Sequence, residues 1–478
     1  MIKALLPLLI GTFVLPAYAQ VEGNVWQFGN HAGLRFQECD ALALDDGQND
    51  GFEGCATISN AISGLLFYTN GETVWNRAHQ AMPFGTITNS GGTLSQVLIV
   101  RQPLSDSLFC ILTTMIQAQG TLSLMYHIVD MALDNGMGDV ASAANILTTA
   151  TITETVTVAR HGNGTDVWVL AHEYPSNSFL AYLLTSTGLS PNPVVSAVGP
   201  SFATCNSNMN ARGEMKFNLA GDRLAMTANG EGVNDATNLL ALFDFDPFTG
   251  IVSNPLQLPY GRGDFGVSFS PDGSKLYGST WKAFNFTGND VNLLYQFDLS
   301  SSDSATIANS RIVLDTGAIT EPFGSVQLGP DGRIYIARQS SGFLGVVNNP
   351  DMPGSACDYV RDGMYLAGKT CNFGLNNYLQ YVNCNLSTAL ANAPPGTVGP
   401  LFFPNPSTGG ITICNALIGE GNIRAIRIVD GTGRVLRILS PQAGPTFDLS
   451  DLAAGTYVLA LLDAHNSTTI SKVLVIQR

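Results

Sequence analysis

Two stretches, "GVSFSPDGSKLYGST" (266–280) and "SVQLGPDGRIYIARQ" (325–339), share one frame: an alternating strand, Pro-Asp-Gly, and a second alternating strand. Pro presets φ at the first central position of a turn, Asp can accept from a following backbone N–H, and Gly tolerates positive φ on the way out. The spelling therefore dictates a tight hairpin. "EMKFNLAGDRLAMTA" (214–228) is a degenerate copy with Ala-Gly-Asp at the turn. A hairpin that recurs along a chain marks a repeat architecture, each unit burying its apolar face against the next.

Strands of the same alternation fill the intervals. In "LLALFDFDPFTGIV" (239–252) and "NLLYQFDLSS" (292–301), Phe243 and Phe245, and Tyr295 and Phe297, fall on one face of their strands. Four strands per repeat is what a propeller blade needs. Looser units come earlier: "CATISNAISGLLFYTNGETVWN" (55–76), "QVLIVRQPLSDSLFCILTT" (96–114) with "LSLMYHIVDM" (122–131), and "TVARHGNGTDVWVLAHEYPSNSFLAYLLTSTG" (157–188). Six blades are countable. A seventh forms if "NVWQFGNHAGLRF" (24–36) pairs with strands from "GFLGVVNNP" or from "NNYLQYV" near residue 380. The expected fold is all-β: a β-propeller of seven blades, alternatively six, with two stacked β-sandwiches as the competing architecture. Fifty Gly and 23 Pro supply the turns, and 45% hydrophobic against 12% charged residues supplies the core.

"NAPPGTVGP" (392–400) cannot bury a core and reads as a linker. The chain then restarts, with "LFFPNPSTGGITI", "IRAIRIVDGTGRVLRI", "PTFDLSDLAAGTYVLALLDA" and "TISKVLVIQR" giving about seven short strands, as an immunoglobulin-like sandwich requires. At the other end, Lys3, the apolar "ALLPLLIGTFVL" and Ala17-Tyr18-Ala19 spell a signal peptide cleaved before Gln20. No later segment has the roughly 18 uninterrupted apolar residues of a membrane span. The expected organisation is a signal peptide (1–19), the propeller (20–388), a Pro/Gly linker (389–400) and the C-terminal sandwich (401–478). The net charge is −15, and the tail carries six basic against five acidic residues, so the propeller holds all the excess acid. An acidic body repels phosphate backbones, which argues against nucleic acid as a partner.

All eight Cys lie after the cleavage site, where export permits disulfides. Cys357 with Cys371, and Cys39 with Cys55, are the expected pairs, and Cys414 is expected as a buried thiol. No CxxC pair or Cys/His cluster has zinc spacing.

The segments "WQFGNHAGLRF", "FEGCATISNAISGLLFYTNGETVWNRAHQAMPFG", "VSFSPDGSKLY" and "LGPDGRIYIA" resemble the WD40-like propeller proteins that Bacteroidetes bacteria secrete. This resemblance implies fold and compartment, and no activity. The tail resembles the type A sorting domain read by the type IX secretion machinery. The marks are Pro404-Asn405-Pro406, "IVDGTGRVL", "DLSDLAAGTYVL" with Gly455 and Tyr457, and the basic, apolar "KVLVIQR" that begins at Lys472. It implies a protein released outside the cell or held at the outer-membrane surface. An accessory sandwich that binds carbohydrate is the alternative, although the tail's only aromatics are Phe402, Phe403, Phe447 and Tyr457.

Four stretches carry candidate chemistry, each with a structural reading beside it. In "DDGQNDGFEG" (45–54), Asp46 and Asp50 imitate half a calcium loop, but the closing Glu is missing and a solvated acidic turn serves as well. In "RHGNGTDVWVLAHEY" (160–174), His161, His172 and Glu173 could do acid–base work, or pack within a blade. In "VWNRAHQAMP" (74–83), Trp75, Arg77 and His79 alternate on one side, facing either the central funnel, where they would bind a glycan or protein ligand, or a neighbouring blade. Arg262-Gly263-Asp264 matches an adhesion tripeptide, and "NGT" and "NFT" match glycosylation acceptors, all common by chance. There is no GxSxG, no HExxH and no phosphate-cradling Gly-rich loop. A binding or structural module is the leading expectation; a hydrolase or lyase acting on polysaccharide or peptide in the funnel is the alternative.

Overall fold

The computed structural model describes residues 22–382 and 402–476, apart from 38, 61–63, 88–95, 117–121, 143, 149, 203–210, 230–238, 259–263, 282–291 and 319–320 and, in the tail, 404–406, 409, 414–424, 430–434, 441–445 and 463–467. The expected signal peptide (1–19) and linker (389–400) lie outside the described residues. The chain divides into two compact units, 1–385 and 386–478.

Seven antiparallel sheets make up the described part of the first unit, each built from consecutive strands. Blade 1 has Val25–Phe28, Ala32–Gln37 and Asp40–Leu44. Blades 2 to 7 open with Ala56–Asn60, Val97–Arg101, Ile152–Arg160, Met215–Phe217, Asp264–Phe269 and Phe323–Leu328, and each adds at least three further strands. These opening strands meet one another around the axis, whereas the last strands, such as Ile251–Gln257 and Ile312–Gly317, are the exposed edges.

Closure is visible in the packing. Each blade shares a hydrophobic cluster with both neighbours: 2 with 3, 3 with 4, 4 with 5, 5 with 6 and 6 with 7. The ring is completed by Trp26 and Phe36 of blade 1 against Tyr335 and Leu344 of blade 7, and by Val25 against Leu65 and Tyr68 of blade 2. The β-propeller is therefore seven-bladed and closed. Its closure differs from the expected strand pairing. Phe343–Val347 belongs to blade 7's own sheet, residues 376–382 form no strand, and blade 1 has three strands of its own. Aromatic packing joins the two ends, with Trp26 edge-on to Phe36 at 4.7 Å and to Tyr335 at 5.6 Å.

The recurring turn behaves as its spelling dictates. Gly221, Gly273 and Gly332 take φ of +72°, +72° and +82°, and Asp272 Oδ1 accepts from Ser274 N at 2.8 Å. Asn163-Gly164 is the same device in blade 4, with Gly164 at +77° and Asn163 Oδ1 accepting from the amides of Thr165 and Asp166.

The second unit has seven strands among its described residues, in a three-stranded sheet (Phe402–Phe403, Gly410–Ile413, Thr446–Asp448) and a four-stranded one (Ala425–Val429, Val435–Leu439, Gly455–Leu462, Thr468–Ile476). Ile411 and Phe447 of the first pack with Ile426, Ile428 and Leu459 of the second, giving a small sandwich core.

Candidate functional site

The opening strands place polar side chains on the axis by simple alternation. Met215 and Phe217 enter the cluster between blades 4 and 5, and Val326 and Leu328 the one between blades 6 and 7. Glu214 and Lys216, and Ser325 and Gln327, therefore face the other way. They meet: Ser325 Oγ donates to Glu214 Oε1 at 2.5 Å, Val267 N donates to Glu214 Oε2 at 3.0 Å, Lys216 Nζ donates to Gln327 Oε1 at 2.5 Å, and Lys216 lies 3.6 Å from Glu214. Near the same strand starts, Arg212 lies 3.6 Å from Glu154 and 6.0 Å over the Trp281 ring. Glu53, just before blade 2's opening strand, completes a group of three carboxylates and two cations.

The axis is also filled by the chain itself. Residues 371–382 run along it without strand pairing, touching the inner parts of several blades. Phe373 N donates to Phe52 O and Phe373 O accepts from Ser325 N, both at 2.8 Å. Asn376 Nδ2 donates to Thr57 Oγ1 at 2.7 Å, Asn377 Nδ2 to Val156 O at 3.1 Å, and Tyr378 OH to Leu328 O at 2.8 Å. Tyr381 OH reaches Asn24 of blade 1 at 2.9 Å. Phe373 packs on Phe265 and Trp281 with ring centroids 4.8 and 4.7 Å apart. Two glycines make room: a Cβ on Gly324 would lie 2.1 Å from Phe373 O, and one on Gly374 would lie 1.8 Å from Glu53 O.

Burial under this plug sets the electrostatics. Glu53 is pushed well above the ordinary carboxylate range, first by loss of hydration and then by Glu154 and Glu214, against the pull of Arg212. Glu154 rises to about 7 for the same first reason, with Arg212 opposing. Lys216 is pushed down by burial, opposed by Glu214. Oε1 of Glu53 and Oε2 of Glu154 are buried without a hydrogen-bond partner. A carboxyl poised near neutrality beside a second whose pKa burial also raises is chemically competent to donate or accept a proton.

The other end of the axis is open. A cavity of about 460 Å³ is lined by Glu22, by the strand ends Ile58, Val100 and Arg101 and Arg160, by the turns that follow them, and by Tyr378 and Leu379 of the plug. Arg101 donates to Ser105 O at 2.7 Å and Asp106 Oδ1 at 2.6 Å, and Arg160 Nη1 to Gly164 O at 3.1 Å.

Of the residues singled out from the sequence, Asp264 alone lies on an opening strand, and none of the others does. Trp75 is on blade 2's third strand, stacked on Tyr68 at 5.3 Å, and Arg77 Nη1 donates to Gly136 O of blade 3 at 2.7 Å. His79 bonds Tyr68 OH through Nδ1 at 3.0 Å and lies 3.3 Å from Asp46 through Nε2. Asp50 accepts from Asn70 Nδ2 at 2.9 Å, so the two carboxylates of the calcium-like turn serve separate partners. Among the described residues, no three His, Cys, Asp or Glu side chains are grouped to hold a metal ion. His161 closes the blade 4 hairpin, its Nδ1 accepting from Asn163 N at 3.0 Å beside Trp168. His172 is buried edge-on to Phe179 and Phe202, which brings its pKa down to about 4, and Glu173 ends the same strand. Asp264 is buried and accepts from Tyr295 OH at 2.5 Å, so the adhesion tripeptide's acid is not presented.

The expected disulfides are corrected. Cys55, Cys357 and Cys371 are free buried thiols, so neither Cys357–Cys371 nor Cys39–Cys55 forms. Cys357 belongs to the core between blades 6 and 7 and Cys371 to that between blades 7 and 1, so short sequence spacing does not bring them together. In the tail, Tyr457 is buried and donates to Ala453 O at 2.8 Å, Gly455 opens its strand, and Lys472 pairs with Leu459 in the sheet. Pro404-Asn405-Pro406 and Cys414 lie outside the described residues.

Sequence reasoning missed Glu53, Glu154, Arg212, Glu214 and Lys216. The signal was present: a polar residue two before another, immediately ahead of the hairpin turn, in "EMKFN" and "SVQLG".

Residues 401–477 match the family described as the secretion system C-terminal sorting domain. The tail is thus a sorting domain of the type IX kind, in a chain whose first unit is a seven-bladed β-propeller. No curated protein matches the chain. Among solved structures it is similar to a candidate 6-phosphogluconolactonase of Bacteroides uniformis, at 13% identity and a TM-score of 0.43, over 72% of this chain and 98% of that one. It is also similar to the hydrazine synthase of Kuenenia stuttgartiensis, at 13% identity and a TM-score of 0.39, over 71% and 99%. Likeness at this level says nothing of activity. No described helix is long and apolar enough to cross a membrane.

Proposed function

We propose that the protein is an exported binding module, displayed at the cell surface or released, whose propeller recognises a glycan or protein ligand at one face. The filled axis carries this reading. Residues 371–382 occupy the place where a propeller enzyme would admit substrate, and the open end retains a cavity. In this reading residues 1–19 direct passage across the inner membrane, 389–400 form a linker, and 401–478 engage the type IX machinery at the outer one. Deleting 401–478 is expected to leave the propeller in the periplasm; appearance of the truncated protein in the medium or on the surface would overturn the export assignment.

A hydrolase or lyase acting on polysaccharide or peptide is the second reading, favoured by Glu154 at about 7 beside Glu53, whose carboxyl burial also pushes up. It requires turnover that Glu53→Gln abolishes without loss of fold.

A further inference from the structure

The cavity at the open end has a chemistry of its own. Arg160 stands at the end of blade 4's opening strand and is exposed. One of its N–H groups is held by Gly164 O at 3.1 Å, which fixes the guanidinium, while its other edge donates to no described residue. Arg101, across the cavity on blade 3, is already bound to Ser105 and Asp106. The charge offered to a ligand is therefore one guanidinium edge, with Glu22 and Asp106 on the same lining. With Asp106 already neutralised by Arg101, one uncommitted guanidinium edge beside the acid Glu22 disfavours a doubly charged phosphate and suits a single carboxylate. The rest of the wall is mostly aliphatic, with Ile58, Ile99, Val100, Leu104, Val167 and Leu379, and its uncharged polar side chains are Gln102 and Thr165. Leu104 is 85% exposed at the rim, with φ of +58°. The one aromatic ring, Tyr378, is buried and has its hydroxyl committed to Leu328 O. A wall without an open ring face suits a branched side chain better than a sugar ring. The volume, about 460 Å³, accommodates one or two residues.

We propose that this cavity binds the free C-terminus of a peptide ending in an aliphatic residue, with Arg160 holding the terminal carboxylate and the aliphatic wall taking the last side chain. The proposal names the ligand class of the binding reading, and its test is independent of export. It also places Tyr378 and Leu379 of the plug in contact with the ligand, so an occupied cavity holds the plug in place.

The experiment is calorimetric titration of the purified full chain with acetyl-Ala-Ala-Leu as free acid, the same peptide as its C-terminal amide, and digalacturonate. The free acid is expected to bind at least about tenfold more tightly than the amide. Arg160→Gln is expected to remove that difference while leaving the melting temperature unchanged, because the side chain is exposed. Leu104→Asp is expected to weaken the free acid and leave the acid–amide ratio intact. Equal binding of acid and amide, or no binding of either, overturns the proposal. Arg160-dependent binding of digalacturonate without the peptide overturns it in favour of an acidic glycan, leaving the cavity as a binding site. A truncated protein that is still exported would sink the export assignment alone and leave these titrations unaffected.

Discussion

One strand, Ile152–Arg160, carries a charged residue toward each end of the axis, and the two meet different fates. Glu154 is enclosed with Arg212, Glu53 and the plug, and its carboxyl is lifted to about 7. Arg160 stands exposed at the rim of an open cavity. Both residues come from one strand, although its ladder shifts register between Ile152 and Val156, at Glu154's end; what sets the two apart chemically is whether water was removed. Charges deprived of water must satisfy one another and so act on stability, whereas a charge left at an opening is available to a partner.

The largest test of this contrast is at the sealed end. Lys216→Met leaves Glu214 buried without its cation and is expected to cost about 3–5 kcal/mol in denaturant unfolding, with much of that recovered in Lys216→Met/Glu214→Leu. An unchanged single variant would show that the sealed pair does not hold the ring. Next, Gly374→Ala forces a methyl into the Glu53 carbonyl and is expected to cost about 1–3 kcal/mol, with faster hydrogen exchange at Asn376 and Asn377. Normal exchange there would mean the plug is not seated by that close approach. The smallest effect is in pH dependence. Glu154 binds its proton more tightly folded than unfolded, so its contribution to stability is fully present below about pH 4.5 and falls by roughly 1 kcal/mol per pH unit up to about 7, opposing the rise contributed by His172, whose pKa is brought down to about 4. Glu154→Gln should remove that fall, so the variant gains stability relative to the parent as pH rises through this interval; an unaltered slope would place the proton elsewhere. Arg160→Gln, at the open end, should alter none of these.

The hairpins were legible because turn chemistry is local: Pro, Asp and Gly act within four residues, and Asn163-Gly164 does the same in blade 4. Six blades and the tail sandwich follow from counting such units; the strand pairing expected to make the seventh does not form, since blade 1 has three strands of its own. The site was not legible because Glu53, Glu154 and the pair Arg212 and Glu214 come from three different blades, and only ring closure makes them neighbours. His172 shows the reverse error. Alternation places it on a face, but cannot say that the face is lined by Phe179 and Phe202 rather than by solvent. Residues 376–382 read as a strand seeking a partner, yet their amides and hydroxyls bond single groups on separate blades instead of a ladder.

The stretch that lies along the axis is also the last of the propeller to be synthesised. A nascent chain can fold its hairpins one by one, but its middle stays hollow until residue 382 has emerged, so any shorter product exposes Phe265, Trp281 and the acidic core to water. Commitment to the finished fold is thereby deferred until the plug is available to fill the ring.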